Sequence, residues 1–347
     1  AMGTAAAADF HQDFPDVPLF LGDFDGAALS QYTTLMVSPG ISLENPAIRQ
    51  ALESGSVLLS DIDMLVDAIA TPVVAITGSN GKTTVTTLLG RMAAAAGLET
   101  AVAGNIGTPV LDLLADGKRY DLWVLELSSF QLERSAPLLA RAATVLNVTP
   151  DHMDRYPSLL AYQQAKQRIY RGCGRVVYNR GDKLTWPLQT REQTSTSFGL
   201  DQPDLNQYGV RQQQGADWLA RGSDCLMPVD ELKIRGDHNV LNALAALALG
   251  EAAGLPLPGM LGELRGFPGV PHRCQWLGER DGVVFYNDSK GTNTGATVAA
   301  VTGLSQRDAD VVLIAGGQGK GADFTVLETV APQLRGLVLL GEAAQDI

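Results

Sequence analysis

What is scarce in this chain of 347 residues narrows it first. It holds three cysteines, Cys173, Cys225 and Cys274, spread far apart with no CxxC pair. A disulfide scaffold is thereby excluded, and a reducing, cytoplasmic setting is expected. The four histidines, His11, His152, His238 and His272, show no zinc-ligand spacing. Basic residues are outnumbered, 26 Lys and Arg against 38 Asp and Glu, for a formal net charge of -12. That balance argues against nucleic acid or an anionic membrane as partner, while leaving room for a locally basic pocket that takes a small anion. No apolar run approaches the roughly 20 residues of a membrane span. Ala1 to Phe10 lack the basic cluster of a secretory signal. Aromatics make up only 6% of the chain, yet 45% is hydrophobic, so its cores must be mainly aliphatic. The length suits two or three domains of roughly 100–200 residues each.

What is present is an alternation of apolar runs with helical patterns, which predicts α/β layers. Residues 1–60 form a first region with a strand at Thr34 to Ser38, a turn at Ser38 to Ile41 and a helix from about Pro46 to Glu53. Residues 61–269 form a second. Its strands are expected at Val73 to Thr77, Asp121 to Glu126, Ala143 to Val148 and Arg175 to Asn179, with a helix from Thr83 to Ala96 closed by Gly97. Lys183 to Arg221 reads as a small antiparallel addition, and His238 to Gly254 as a helix. Gly266 to Arg273, with two prolines and two glycines, reads as a linker. Residues 270–347 form a third region. It should hold strands at Val283 to Asp288, Asp310 to Gly317 and Leu337 to Leu340, with helices starting near Thr294 and Asp323. The first region lacks an opening strand and glycine turn, and the third closes just after a strand. Both are expected to be incomplete.

The stretch VVAITGSNGKTTVTTLLGRM, Val73 to Met92, orders a strand, a glycine turn and a helix. Phosphates need donors and positive charge without bulk. A helix N-terminus supplies free N–H groups and the positive end of its dipole. Gly78 and Gly81 let the backbone curl around the anion, with Ser79 and Asn80 between them. Lys82 is placed to act as a point charge on the terminal phosphates. The Thr83 hydroxyl, followed by Thr84, stands where Mg²⁺ is usually held. The two-residue spacing between Gly78 and Gly81 is shorter than in the standard loop, and the plain alternative is a glycine turn before an ordinary helix.

Further residues are candidates around the same phosphates, each with a bland counterpart. Glu126 ends a strand, where α/β folds collect ligands, and could share one Mg²⁺ with Thr83. It could equally be a solvated carboxylate. His152 follows another strand, although a lone histidine is more often structural. Lys166 lies on a helix with Tyr162, Ile169 and Tyr170 near one face, although a helical lysine is usually solvated. Asn105 sits in a glycine turn and could be a turn residue only.

The run TGSNGKTT, GNIG, LELSSFQLE, LNVTPDHMDRY, KIRGDHNVLNALAA, PHRCQW and NDSKGTN, in that order, resembles the Mur ligase family. The forms LELSSFQLE and DHMDRY are most similar to its D-glutamate-adding branch. The resemblance covers about Thr34 to Leu340. It implies three α/β domains: a central P-loop-type domain with a parallel sheet, flanked by Rossmann-like N- and C-terminal domains. It implies ATP, two Mg²⁺ sites, and UDP-MurNAc-L-Ala and D-glutamate as substrates of a monomeric enzyme. Carried onto this chain, Gly78, Ser79, Asn80, Gly81, Lys82, Thr83 and Thr84 hold the phosphates. Thr83 and Glu126 bind one Mg²⁺, and His152 helps hold a second. Lys166 matches a lysine carbamylated by CO2. Asn105 lies near the phosphates and the acyl group, and Asn239, Arg273 and Asp288 near the adenine and ribose. Lys290, Thr292 and Lys320 line the D-glutamate side. Ser38, Pro39 and Gly40 resemble the turn that meets the UDP diphosphate, and Ser128 and Gln131 resemble muramoyl contacts. Folylpolyglutamate synthase shares the short loop, and a nucleotide sensor without catalysis is the reading from another class. A second metal site would be superfluous in a sensor.

Overall fold

A computed structural model describes residues 4–188, 193–305, 310–319 and 321–347. The chain divides into two compact units, one up to Ser60 and one from Asp61 onward.

The first unit contains helices α1 (Thr4–Asp13) and α2 (Gly26–Leu29), strand β1 (Thr34–Met36), helix α3 (Pro46–Glu53) and strand β2 (Val57–Leu59). The two strands pair in parallel, Thr34 opposite Val57. Asn45 starts α3 by accepting the Ala47 N–H at 3.0 Å, and Pro46 occupies the first helical position, where its missing N–H costs nothing. The turn at Ser38 closes through the Ile41 N–H on the Ser38 carbonyl at 3.0 Å.

The second unit begins with α4 (Asp61–Ala68), β3 (Val73–Thr77), α5 (Lys82–Ala95), β4 (Thr100–Gly104), α6 (Val110–Ala115) and β5 (Leu122–Glu126). It continues with α7 (Ser129–Arg134), β6 (Ala142–Val145), α8 (Leu159–Gln167), β7 (Arg175–Asn179) and β8 (Thr194–Phe198). Three more strands follow, β9 (Tyr208–Gln213), β10 (Ala216–Arg221) and β11 (Asp224–Pro228), then the helices α9 (Asp237–Ala253) and α10 (Leu257–Gly266). All eight strands from β4 to β11 join β3 in one sheet, ordered β11-β10-β9-β8-β7-β6-β3-β5-β4. The run from β4 to β9 is parallel, and β10 and β11 add antiparallel strands at the far edge.

The core explains the reading of β3 and β5. Both are buried along their whole length, so they lack polar alternation. Their side chains still alternate between faces. Val74, Ile76, Leu122 and Val124 pack toward Leu88 and Leu89 of α5 and Leu244 and Leu247 of α9. Val73, Ala75, Trp123 and Leu125 pack on the other face toward Ile62, Val110 and Ile169. β3, at the centre, therefore delivers its C-terminal end, and the loop after it, into the crevice where α/β ligands collect.

The last part holds β12 (Gln275–Arg280), β13 (Val283–Asn287), α11 (Thr294–Ser305), β14 (Val311–Gly316) and β15 (Leu334–Leu340). Here the structure corrects the sequence reading. The strand expected at Val283 to Asp288 pairs antiparallel with β12 in a hairpin. Asp281 and Gly282 both have positive φ, 52° and 76°, the two-residue Asp-Gly turn whose twist suits a hairpin. β14 and β15 pair in parallel. The helix expected from Asp323 is a 3-10 turn, Phe324–Thr329, with Asp323 accepting the Thr325 N–H at 3.0 Å. The strand expected to reach Val148 ends at Val145, because Asn147 turns its side chain onto the phosphate loop. The segment Gly266 to Arg273 is packed rather than free: Phe267 is buried and Arg273 bonds into the site.

Candidate active site

The loop between β3 and α5 is shaped by backbone chemistry. Gly81, at the N-cap of α5, has φ 82°, and a Cβ there would lie 2.4 Å from the Asn242 Oδ1. Only glycine fits both constraints. No side chain caps α5, so its first N–H groups face the loop, an arrangement that favours an anion. Ser79 ties the loop down: its hydroxyl donates to the Thr149 carbonyl and accepts from the Thr149 N–H, both at 3.0 Å.

Two lysines converge from different helices. Lys82, the first residue of α5, donates to the Gly78 and Ser79 carbonyls at 2.8 and 2.9 Å. Lys166, near the end of α8, donates to the same Gly78 carbonyl at 3.0 Å. Its Nζ lies 4.3 Å from the Tyr162 ring centre, and the residue is 1% exposed. Burial lowers the pKa of Lys82, while the Glu126 charge pulls it back up. Burial pushes Lys166 well below its ordinary value, and the charge of Lys82 adds to the fall.

Glu126 is buried at the end of β5. Its Oε2 accepts from the Thr83 hydroxyl at 2.8 Å and its Oε1 from the Asn105 amide at 3.0 Å. Both donors are neutral, so the carboxylate is desolvated without a charged hydrogen-bond partner, which is costly unless a cation joins it. Gly104 lets β4 come this close, since a Cβ there would lie 2.2 Å from the Glu126 carbonyl oxygen. Arg273 reaches the same place, donating through Nη2 to the Thr83 hydroxyl at 3.0 Å. Among the described residues, no three His, Cys, Asp or Glu side chains gather as a metal cage. The oxygen pair of Thr83 and Glu126 instead fits Mg²⁺, which takes few protein ligands and completes its shell with phosphates and water.

A cavity opens beside the loop, lined by Asn80, Gly81, Thr84, Asn239, Arg273 and Asp288 among others. The residues that the resemblance assigns to the nucleoside, Asn239, Arg273 and Asp288, thus line the same cavity as Asn80, Gly81 and Thr84 of the loop. Asn239 is held by its amide on the Arg235 carbonyl at 2.8 Å, and its oxygen accepts from Asn242 at 3.1 Å. Asp288 accepts the Cys274 N–H at 2.8 Å, and burial raises its carboxyl pKa. His152 is exposed with φ 57°, its ring 5.0 Å from Phe130 and 6.4 Å from Tyr162. Tyr162 thus lies against both His152 and Lys166.

Other candidates are placed less decisively. Ser128 and Gln131 form the capping box of α7, each bonding the other's backbone N–H, at 3.1 and 3.2 Å. Lys290 and Thr292 are exposed on the segment before α11. Ser38 and Gly40 are exposed in the first unit. Lys320 lies outside the described residues. Sequence reasoning missed Asn147, Asp151, Asn242 and Asn293, which bond into the loop or its neighbours. The signal for Asn147 was its place just past a strand end; nothing local marked Asn242 or Asn293.

Fold and site together define a nucleotide-binding α/β protein with a short phosphate loop. The Mur ligase middle domain family model matches residues 76–250, and that of the Mur ligase MurD-like N-terminal domain matches residues 4–60. The chain belongs to the Mur ligase family. It is 51% identical over 344 residues to the UDP-N-acetylmuramoylalanine--D-glutamate ligase of Legionella pneumophila (strain Lens), covering 98% of this chain and 77% of the relative. It is 53% identical over 339 residues to the enzyme of that name from Pseudomonas aeruginosa, covering 97% and 75%. Among solved structures, MurF from Acinetobacter baumannii matches with a TM-score of 0.67 at 19% identity, over 98% of this chain and 86% of that one. MurF from Thermotoga maritima, solved with ADP, matches with a TM-score of 0.61 at 16% identity, over 90% and 84%. At these identities the two structures speak for the shared fold alone.

Proposed function

We propose that this chain is an ATP-dependent, ADP-forming ligase that adds D-glutamate to UDP-MurNAc-L-Ala in peptidoglycan precursor synthesis. The observation that carries the reading is the site just described in a chain more than half identical, over nearly its whole length, to ligases of that name. In this reading a carboxylate oxygen of the L-alanyl group attacks the γ-phosphorus of ATP. ADP leaves and an acyl phosphate forms. The D-glutamate nitrogen then attacks the acyl carbon, loses a proton, and phosphate departs as the amide bond forms.

The physical difficulty is that carboxylate and triphosphate repel each other. Lys82 and the N-terminus of α5 bring positive charge to the phosphates in a site largely shielded from water. In this reading Asn105, whose amide donates to Glu126, orients the acyl group. Mg²⁺, held by Thr83 and Glu126, would supply charge neutralisation between the two anions. His152 and a carbamylated Lys166 would hold a second Mg²⁺. A lysine kept neutral by burial can add CO2 and lose a proton, turning a would-be cation into a metal-binding carboxylate. Activity lost in Lys166→Ala should return in part with short-chain carboxylic acids, and no return at all would remove the carbamate.

Asn239, Arg273 and Asp288 are assigned to the nucleoside, Lys290, Thr292 and Lys320 to D-glutamate, Ser38 and Gly40 to the UDP diphosphate, and Ser128 and Gln131 to the muramoyl group. Residues 270–347 are proposed to act as the amino-acid-binding domain. A cytoplasmic setting suits the three free cysteines, and the chain is proposed to act as a monomer.

The test is phosphate release from ATP and Mg²⁺ with UDP-MurNAc-L-Ala, with and without D-glutamate. Release that requires both substrates is expected. A preference for another amino acid would move the chain to a different branch, and release without amide product would overturn the ligase reading.

A further inference from the structure

The cavity beside the phosphate loop has two walls from distant parts of the chain. Asn80, Gly81 and Thr84 belong to one, and Gly291, Ala296 and Ala299 to the other. Among the described residues, the side chains of Asn80 and Asn293 join loop and wall in both directions. The Asn293 Nδ2 donates to the Asn80 Oδ1 at 3.1 Å, and the Asn80 Nδ2 donates to the Asn293 Oδ1 at 3.4 Å. Two primary amides paired in this way satisfy a donor and an acceptor on each, and the pairing fixes their relative orientation as well as their distance.

Each amide is in turn held from behind. The Asn80 backbone is clamped by Asn147, which accepts the Asn80 N–H at 2.8 Å and donates to the Asn80 carbonyl at 3.0 Å. The Asn293 Oδ1 also accepts the Ala296 N–H at 2.8 Å and so caps α11, and its Nδ2 reaches Asp151 at 3.4 Å. The order of connection is therefore Asn147, the phosphate loop at Asn80, Asn293, and the start of α11. Lys290 and Thr292 stand three residues and one residue before Asn293. Any shift of Asn293 moves their segment relative to the loop.

We infer that Asn293 is a positioning residue that acts through Asn80, setting the spacing between the phosphate loop and the segment carrying Lys290 and Thr292. The inference rests on the reading of the loop as an ATP site. In that setting the pair makes nucleotide affinity and amino-acid use depend on one contact, because each wall of the cavity is registered on the other.

The structure also supplies a way to separate this role from helix capping. Asn293→Asp keeps an oxygen for the Ala296 N–H but loses the donor to Asn80 and turns a carboxylate toward the Asn80 Oδ1 and Asp151. The experiment uses the full chain with Asn80→Ala, Asn293→Ala, Asn293→Asp and the double alanine variant. It reads Tm, the Kd for the non-hydrolysable analogue AMP-PNP with Mg²⁺, and kcat and KM for ATP and D-glutamate. Each alanine variant is expected to weaken AMP-PNP by about five- to tenfold, in keeping with loss of a part-buried hydrogen-bonded pair. The double variant should be no weaker than the worse single, since both remove one contact. Asn293→Asp should keep Tm within about 2 °C, as expected for a retained cap, yet show the raised Kd for AMP-PNP and a raised KM for D-glutamate. Losses that multiply in the double variant, or an Asn293→Asp protein that binds and turns over like the parent, would overturn the inference. A parent protein that binds AMP-PNP but makes no amide would overturn the ligase reading instead, and the binding cycle would still decide on the pair.

Discussion

Lys82 and Lys166 share one acceptor, the Gly78 carbonyl oxygen, at 2.8 and 3.0 Å. Two ammonium groups on one oxygen repel each other, and burial removes the water that would screen them. The strain is relieved unequally. Burial lowers both: at Lys82 the Glu126 charge opposes the fall, whereas at Lys166 the Lys82 charge adds to it and Asp151 alone opposes it. The arrangement depresses Lys166 more than Lys82.

Removing the cation should stop the chemistry and spare the fold. Lys82→Ala is expected to lower kcat by about 10²–10³, the scale for deleting one preorganised electrostatic contact. Its far-ultraviolet circular dichroism should match the parent's. Turnover near the parental rate would show that Lys82 does not serve the phosphates.

Lys166 allows a pH prediction with a definite sign. Its folded pKa is depressed below the ordinary 10.5, so the folded state carries the full cost of a buried charge below the folded pKa. As pH rises from the folded pKa toward 10.5, only the unfolded chain stays protonated and relative stability climbs. Lys166→Met removes the cost of burying an amine whose pKa is depressed and should raise stability at neutral pH by about 1–3 kcal/mol while abolishing ligation. In CO2-free buffer the gap in Tm between variant and parent should narrow from pH 7 to pH 10. A gap that is constant across that range would show that Lys166 does not titrate abnormally.

Glu126→Gln keeps the shape of the side chain and its acceptor for Thr83 or Asn105 but removes the charge. The Mg²⁺ concentration giving half-maximal activity is expected to rise at least about tenfold, since Mg²⁺ depends on carboxylate charge more than on number of ligands. A magnesium titration that overlays the parent's would take Glu126 out of the metal site.

Gly81→Ala tests the loop geometry. The residue would have to keep φ 82° with its Cβ against the Asn242 amide. Destabilisation by about 1–3 kcal/mol is expected from the backbone alone, with a further loss of AMP-PNP affinity as Asn242 gives way. Chemical denaturation and calorimetry report the two separately. An alanine variant as stable as the parent would mean that the loop relaxes freely at this position.

Much of the site could be read from local order. Gly78 to Thr84 sit within one strand-turn-helix unit, and Glu126 ends a strand that is apolar throughout, so spacing and pattern were enough to suggest both. Lys166 was another matter. On a helix it looked solvated, and only the family resemblance raised it; the structure buries it because α8 packs beneath the loop, bringing its Nζ to a carbonyl 88 residues away. The second strand of the β12–β13 hairpin was seen and its partner missed, although Asp281-Gly282 marked the turn.

By itself the sequence determined the α/β alternation, the phosphate loop and the order of motifs that implied a Mur ligase. These depend on interactions between residues close in the chain: hydrophobic period, glycine backbone freedom, helix starts. Tertiary structure alone decided that Asn293 meets Asn80 across 213 residues and that Arg273 reaches Thr83 across 190. An asparagine in a loop carries the same local signal whether it faces water or another amide. Which of these it does is settled by where β3, β6 and α11 come to rest when their apolar faces are buried.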